Sequence, residues 1–149
     1  MPIGEICSRE VIIVQRETPV QEAAQLMRQH HVGALVVVEE VSGKRMPVGL
    51  ITDRDLVVEV LATQLDAKAI TVGDIMLPEL GSVQENGGVF ETIQFMRAKA
   101  VRRLPVVDGQ GALIGIVALD DLLTLLAEEL NELAGLVARE QAKELHSRR

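Results

Sequence analysis

The segment IGEICSREVIIVQRETPVQEAAQLMRQHHVGALVVVEE, from Ile3, lies without a gap over VGDIMLPELGSVQENGGVFETIQFMRAKAVRRLPVVDG, from Val72, a shift of 69 positions. Gly4 falls on Gly73, Ile6 on Ile75, Gln15 on Gln84, Glu22 on Glu91, Met27 on Met96 and Arg28 on Arg97. The second copy is then three residues shorter, and PVGLITDRDL lies over LIGIVALDDL, matching Gly49 with Gly115, Asp55 with Asp121 and Leu56 with Leu122. Polar residues agree in register, which two unrelated valine-rich segments would not do. A repeated unit this short cannot bury its own apolar face, so the copies are expected to cover one another.

Each copy reads as β-α-β-β-α. A short strand (Val11–Val14; Leu80–Val83) meets a turn, TP in the first copy and NGG in the second. The helix Pro19–His31 follows, with Val20, Ala23, Ala24 and Met27 on one face and Pro19 in its first turn. The second copy repeats it over Val89–Lys99. Two strands come next, Ala34–Glu39 and Pro47–Thr52, then Leu104–Val107 and Ala112–Val117, joined by VSGKRM and DGQG. ALVVV and LPVV are unbroken apolar runs, so both faces of those strands should be covered. A helix closes each copy. The fold class is therefore α/β (α+β), two repeats packed sheet to sheet plus a long C-terminal helix. The expected boundaries are repeat one at 1–64, a linker at 65–71, repeat two at 72–127 and a helical extension at 128–149.

Among 149 residues there are two Phe and no Trp or Tyr, so Val, Leu, Ile, Ala and Met must build the core. A net charge of −7 gives no field for nucleic acid, and rings for stacking bases are missing. No apolar run approaches the ~20 residues of a membrane span, and the start MPIGEICSRE lacks the basic head and apolar stretch of a signal peptide. One cysteine, Cys7, excludes an internal disulfide and suits a reducing compartment. A cytoplasmic protein without membrane or nucleic-acid partners is expected.

GLITDRDL, Gly49–Leu56, is the chemically informative stretch. Thr52 ends a strand, and Asp53, Arg54 and Asp55 begin a helix. Thr followed three residues later by an acid approximates a capping box, worth ~1 kcal/mol, and both aspartates sit at the positive end of the helix. The same geometry offers free N–H groups and a hydroxyl to a phosphate, and a carboxylate to a ribose diol. Four such residues alone favour the cap.

GLITDRDL and GIVALDDL, each after an apolar strand pair, resemble the CBS-domain signature, Gly-h-h-Thr/Ser-x-x-Asp, and the tandem resembles a Bateman module. TPVQEA before the first helix and RRLPVVD at the strand entry add to the resemblance, which covers about residues 3–127. It implies repeats packed sheet to sheet with pseudo-twofold symmetry and two clefts between them, binding adenosine-containing ligands: AMP, ADP, ATP, NAD or S-adenosylmethionine. None is implied as a required cofactor. Carried over, it places Thr52 on phosphate and Asp55 on ribose in the first cleft. Arg102 or Arg103 reaches in from the second repeat, Arg54 assists, and the backbone of Ile12, Ile13 and Ile51 flanks the base. The second cleft keeps Asp121 but has Ala118 for Thr52, Gly33 and Ala34 for the arginines, and Gly87-Gly88 for Thr18-Pro19. At ~1.5–3 kcal/mol per charged hydrogen bond, that loss predicts one strong and one weak site.

His30 and His31 lack a partner at ligand spacing, so no metal site is expected. Cys7 reads as packing rather than a redox thiol. Without a Gly-x-Ser-x-Gly, a Walker loop or a nucleophile–base pair, the chain reads as a regulatory module, not an enzyme. The alternative is a ligand-free interaction module that dimerises and docks a partner protein. In the closing helix Leu119, Leu122, Leu126, Leu130, Leu133 and Val137 form a stripe with Glu128, Glu132 and Arg139 off it. This helix overhangs its counterpart by about 20 residues, ~30 Å. Ala134-Gly135 would admit a close neighbour, and Arg148-Arg149 suits a helix C-terminus. A homodimer aided by this helix is expected, in keeping with the flat dimeric disc that the resemblance implies.

Overall fold

The computed structural model describes residues 1–78 and 81–147. Leu80, where a strand is predicted to begin, and Arg148-Arg149 lie outside the described residues. The first half holds α1 (Ile3–Ile6), β1 (Ile13–Val14), α2 (Val20–His30), β2 (Ala34–Val41), β3 (Lys44–Thr52) and α3 (Asp53–Leu56), which runs on as a π-helical turn over Val57–Leu61. The second holds α4 (Val72–Ile75), β4 (Leu77–Pro78), β5 (Val83–Gln84), α5 (Val89–Lys99), β6 (Arg103–Val107), β7 (Leu113–Ala118) and α6 (Leu119–Ser147).

The long strands are covered on both faces, as their apolar runs predict: Leu35 to Val38 and Leu104, Val106 and Val107 are buried. Alternation divides their side chains. Leu35, Val37 and Ile51 pack with Ala23 and Met27 of α2. Val36, Val38 and Leu50 face the other way and meet Leu113 and Ile116 of the second sheet. Leu104, Val106 and Val117 form the second repeat's core with Met96 and Leu122. The β2–β3 hairpin is longer than predicted because its turn is only Ser42-Gly43, both at positive φ. This tight geometry lets the exposed arms keep pairing out to Val41 and Lys44.

The two short helices α1 and α4 are additions to the predicted elements, and each docks on the opposite repeat. The Ile3 N–H donates to Gly87 O and Gly4 N–H to Glu85 O, both at 2.8 Å. By the same geometry 69 positions on, Val72 N–H donates to Thr18 O and Gly73 N–H to Arg16 O, again at 2.8 Å. Ile3 belongs to the second repeat's core and Val72 to the first's. After α4 the chain adds β4 to the edge of β3, giving sheets of order β1-β2-β3-β4 and β5-β6-β7. Ser8 bridges Ile116 at the equivalent edge. The predicted linker is fastened too: Val20 N–H donates to Ile70 O and Gln21 N–H to Ala67 O, satisfying helix-start donors for which α2 has no side-chain cap.

Cys7 lies against the second core, where burial pushes its thiol pKa up, and its Sγ donates to Gly4 O at 3.6 Å. Gly115 is the tightest point of this crossing. A Cβ there would stand 2.6 Å from Ser8 O and 2.8 Å from Cys7 Sγ. Gly115→Ala should destabilise by about 1–3 kcal/mol through overpacking, lowering the melting midpoint by roughly 3–10 °C. Gly109→Ala, with nothing within 4 Å, should leave the midpoint in place in the same calorimetric scan.

Candidate functional site

β3 delivers Thr52 to the start of α3, and the local sequence closes a reciprocal capping box. Thr52 N–H donates to Asp55 Oδ2 at 2.8 Å, and Asp55 N–H donates to Thr52 Oγ1 at 3.2 Å. Asp53 Oδ1 accepts from Arg54 N–H at 2.8 Å. One oxygen of Asp55 is thus folded back on its own main chain. Its other oxygen takes no hydrogen bond among the described residues. The second repeat makes half of this arrangement: Ala118 N–H donates to Asp121 Oδ2 at 2.9 Å, and Ala118 has no hydroxyl to return the bond.

Between the repeats lie two open clefts of about 240 Å³ each. Thr52, Arg54, Asp55, Arg102 and Arg103 all line the first, the last two from the second repeat. None of these three guanidinium groups has a hydrogen-bond or ion-pair partner among the described residues. Asp121 and Ala118 line the second cleft with Gly33 and Ala34. Charge separates the two. The first sets three arginines against Asp53 and Asp55. The second sets Glu10, Asp120 and Asp121 against Arg103, which lines both.

The three isoleucines are not brought to the first cleft. Ile12 lines the second, and its carbonyl already accepts from Val36 N–H at 3.1 Å. Ile13 packs between the sheets. Ile51 is fully buried and paired with Leu35, because alternation that turns Leu50 and Thr52 to the cleft turns Ile51 into the core. In their place the cleft gains Leu77 and Val101. The repeat held the signal for both: a shift of 69 maps Ser8 and Val32 of the second cleft onto them.

Among the described residues no group of three or more His, Cys, Asp or Glu could hold a metal ion, and no helix is long and apolar enough to cross a membrane.

The CBS-domain family model matches twice, over residues 3–62 and 72–128. CBS domain-containing protein YhcV of Bacillus subtilis is 38% identical over 133 residues, 89% of each chain. Uncharacterized protein MK0525 of Methanopyrus kandleri is 39% identical over 121 residues, and the match spans 81% of this chain but 60% of that protein. The crystal structure of the CBS domain pair of protein MJ0100, in complex with 5′-methylthioadenosine and S-adenosyl-L-methionine, superposes with a TM-score of 0.74 at 26% identity. That match covers 87% of this chain and 98% of the other. A signature repeated at the same place in two copies, two clefts between sheet-packed halves and a family match to both copies make one conclusion: the chain belongs to the CBS-domain family, and its two repeats form a Bateman module.

Proposed function

We propose that this module binds a phosphorylated adenosine ligand in the first cleft and reports its presence through the angle between the repeats. The observation that carries the reading is the meeting of Thr52 and Asp55 from one repeat with Arg102 and Arg103 from the other around one cleft. Thr52 Oγ and the arginines suit phosphate oxygens, and the uncommitted Asp55 oxygen suits a ribose hydroxyl. The binding of adenosyl compounds by the MJ0100 pair supports the ligand class. A ligand shifts conformations only by its differential affinity for the two states. Contacts to both repeats supply that difference. The role is regulatory rather than catalytic.

The test separates capping from binding. Asp55→Asn keeps an oxygen for Thr52 N–H but loses the charge, so its melting midpoint should stay near that of the parent. Its affinity in calorimetry with AMP, ATP, NAD and S-adenosylmethionine should fall about 10- to 100-fold, one charged hydrogen bond of about 1.5–3 kcal/mol. Asp55→Ala should lose the cap as well, about 1 kcal/mol. For the parent, a ligand at 100 times its Kd adds about 2.7 kcal/mol, a midpoint rise of roughly 5–10 °C. No response to any of the four ligands, or unchanged affinity in both variants, overturns the reading.

A further inference from the structure

Among the described residues Arg103 alone lines both clefts. Its backbone is fixed. It pairs with Ala118 across β6 and β7, and the preceding carbonyl, Arg102 O, accepts from Leu119 N–H at 2.8 Å. Its guanidinium group is not fixed, having no hydrogen-bond or ion-pair partner among the described residues. A long side chain with several rotatable bonds on a rigid root can serve either cleft, but only one at a time.

Exposure decides which charges in the clefts count. Arg54, Arg102, Asp53, Glu10 and Asp120 are exposed, so water and salt screen them. Three charges are half-buried: Asp55 in the first cleft, Asp121 in the second, and Arg103. The two aspartates are equivalent positions of the repeat, and each holds its helix start through one oxygen. Arg103 has no such twin, because its counterpart is Ala34. One sheltered cation is therefore shared between two sheltered carboxylates.

We infer that Arg103 couples the two clefts. A phosphate in the first draws the guanidinium group over, and the second cleft, its carboxylates uncompensated, then takes a nucleoside carrying a positive charge more tightly. The inference rests on the reading of the first cleft as a phosphate site. Linkage gives the converse: a cation in the second cleft turns Arg103 toward the first and tightens phosphate binding there by the same factor. Two anions are disfavoured, since the second would meet Glu10, Asp120 and Asp121 with Arg103 already engaged. The module thus responds most strongly to two ligands of opposite charge.

Calorimetry with AMP, or with ATP where the monophosphate does not bind, reads the coupling. S-adenosylmethionine, cationic at its sulfonium, is the second probe, and 5′-methylthioadenosine, a related nucleoside without that charge, is the control. Saturating S-adenosylmethionine should tighten the nucleotide about fivefold, the low end for coupled sites because both clefts are open to water. The control should change it by less than about twofold. Arg103→Gln should bind the nucleotide more weakly and S-adenosylmethionine more tightly than the parent, with no coupling left. Arg102→Ala should weaken the nucleotide and keep the coupling. The parent alone can overturn the inference: S-adenosylmethionine that leaves nucleotide affinity unchanged, weakens it by competition, or acts no differently from the control does so. Coupling that survives Arg103→Gln also does so. A nucleotide that binds without coupling leaves the phosphate reading of the first cleft standing, whereas no binding of AMP, ATP or NAD overturns both.

Discussion

Replacing Arg102 and Arg103 together by alanine should weaken binding of AMP or ATP by two to four orders of magnitude and change the affinity for 5′-methylthioadenosine by only a few-fold. Both guanidinium groups line the first cleft without a protein partner among the described residues, so their removal orphans no buried carboxylate and the effect falls on the ligand. Each charge-assisted hydrogen bond contributes about 1.5–3 kcal/mol, and 1.4 kcal/mol is tenfold in affinity. Arg102 is exposed whereas Arg103 is half-buried. Solvent screening therefore discounts the first and places the expected loss toward the hundredfold end. Raising the salt concentration should reproduce part of the loss in the parent and little of it in the double variant. Calorimetry over two salt concentrations reads both. Equal losses for phosphorylated and unphosphorylated ligands would mean that the arginines shape the cleft rather than meet phosphate. Three carboxylates against one arginine in the second cleft oppose a phosphate there.

The fold was legible because the repeat is written in polar as well as apolar residues. Matching Gln15 with Gln84 and Glu22 with Glu91 fixes a register that valines alone leave loose, and the register carries the element order with it. What the pattern hides is where a segment goes after it forms. IGEI and VGDI are four-residue fragments too short for periodicity, and nothing local says that each packs on the other repeat. Yet the glycines in them carry the reason. A Cβ at Gly4 would stand 3.0 Å from Glu85 O, and one at Gly73 3.0 Å from Arg16 O. Those carbonyls are themselves 69 positions apart. The site divides along the same line. Thr52 and Asp55 announce themselves through the chemistry of a helix start, and Arg102-Arg103 through a charge pair at a strand entry. Ile51 lies between Leu50 and Thr52, which line the cleft, and period-two alternation turns its side chain to the core. Leu77 reaches the cleft because β4 crosses to the edge of β3.

Ile3→Ala should be among the most destabilising single truncations in this chain, although residues near a chain start usually tolerate change. Ile3 is fully buried, and its neighbours are Leu104, Val106, Val117 and Met96 of the second repeat, not those of the first repeat, to which it belongs in sequence. Truncation leaves a cavity at the crossing, where α1 is held by backbone bonds to Glu85 and Gly87 that offer little room to close in. A loss of about 2–5 kcal/mol follows, a fall of roughly 5–20 °C in the melting midpoint. Val72, its counterpart in the first core, loses two methyl groups in Val72→Ala and should fall by less. The variants also report on coupling. Since each of these side chains belongs to one repeat in sequence and to the other in space, calorimetric unfolding of Ile3→Ala should remain one transition with both halves melting together. Two separated transitions, or a midpoint within 2 °C of the parent, would show that α1 is an accessory rather than the clasp between the repeats.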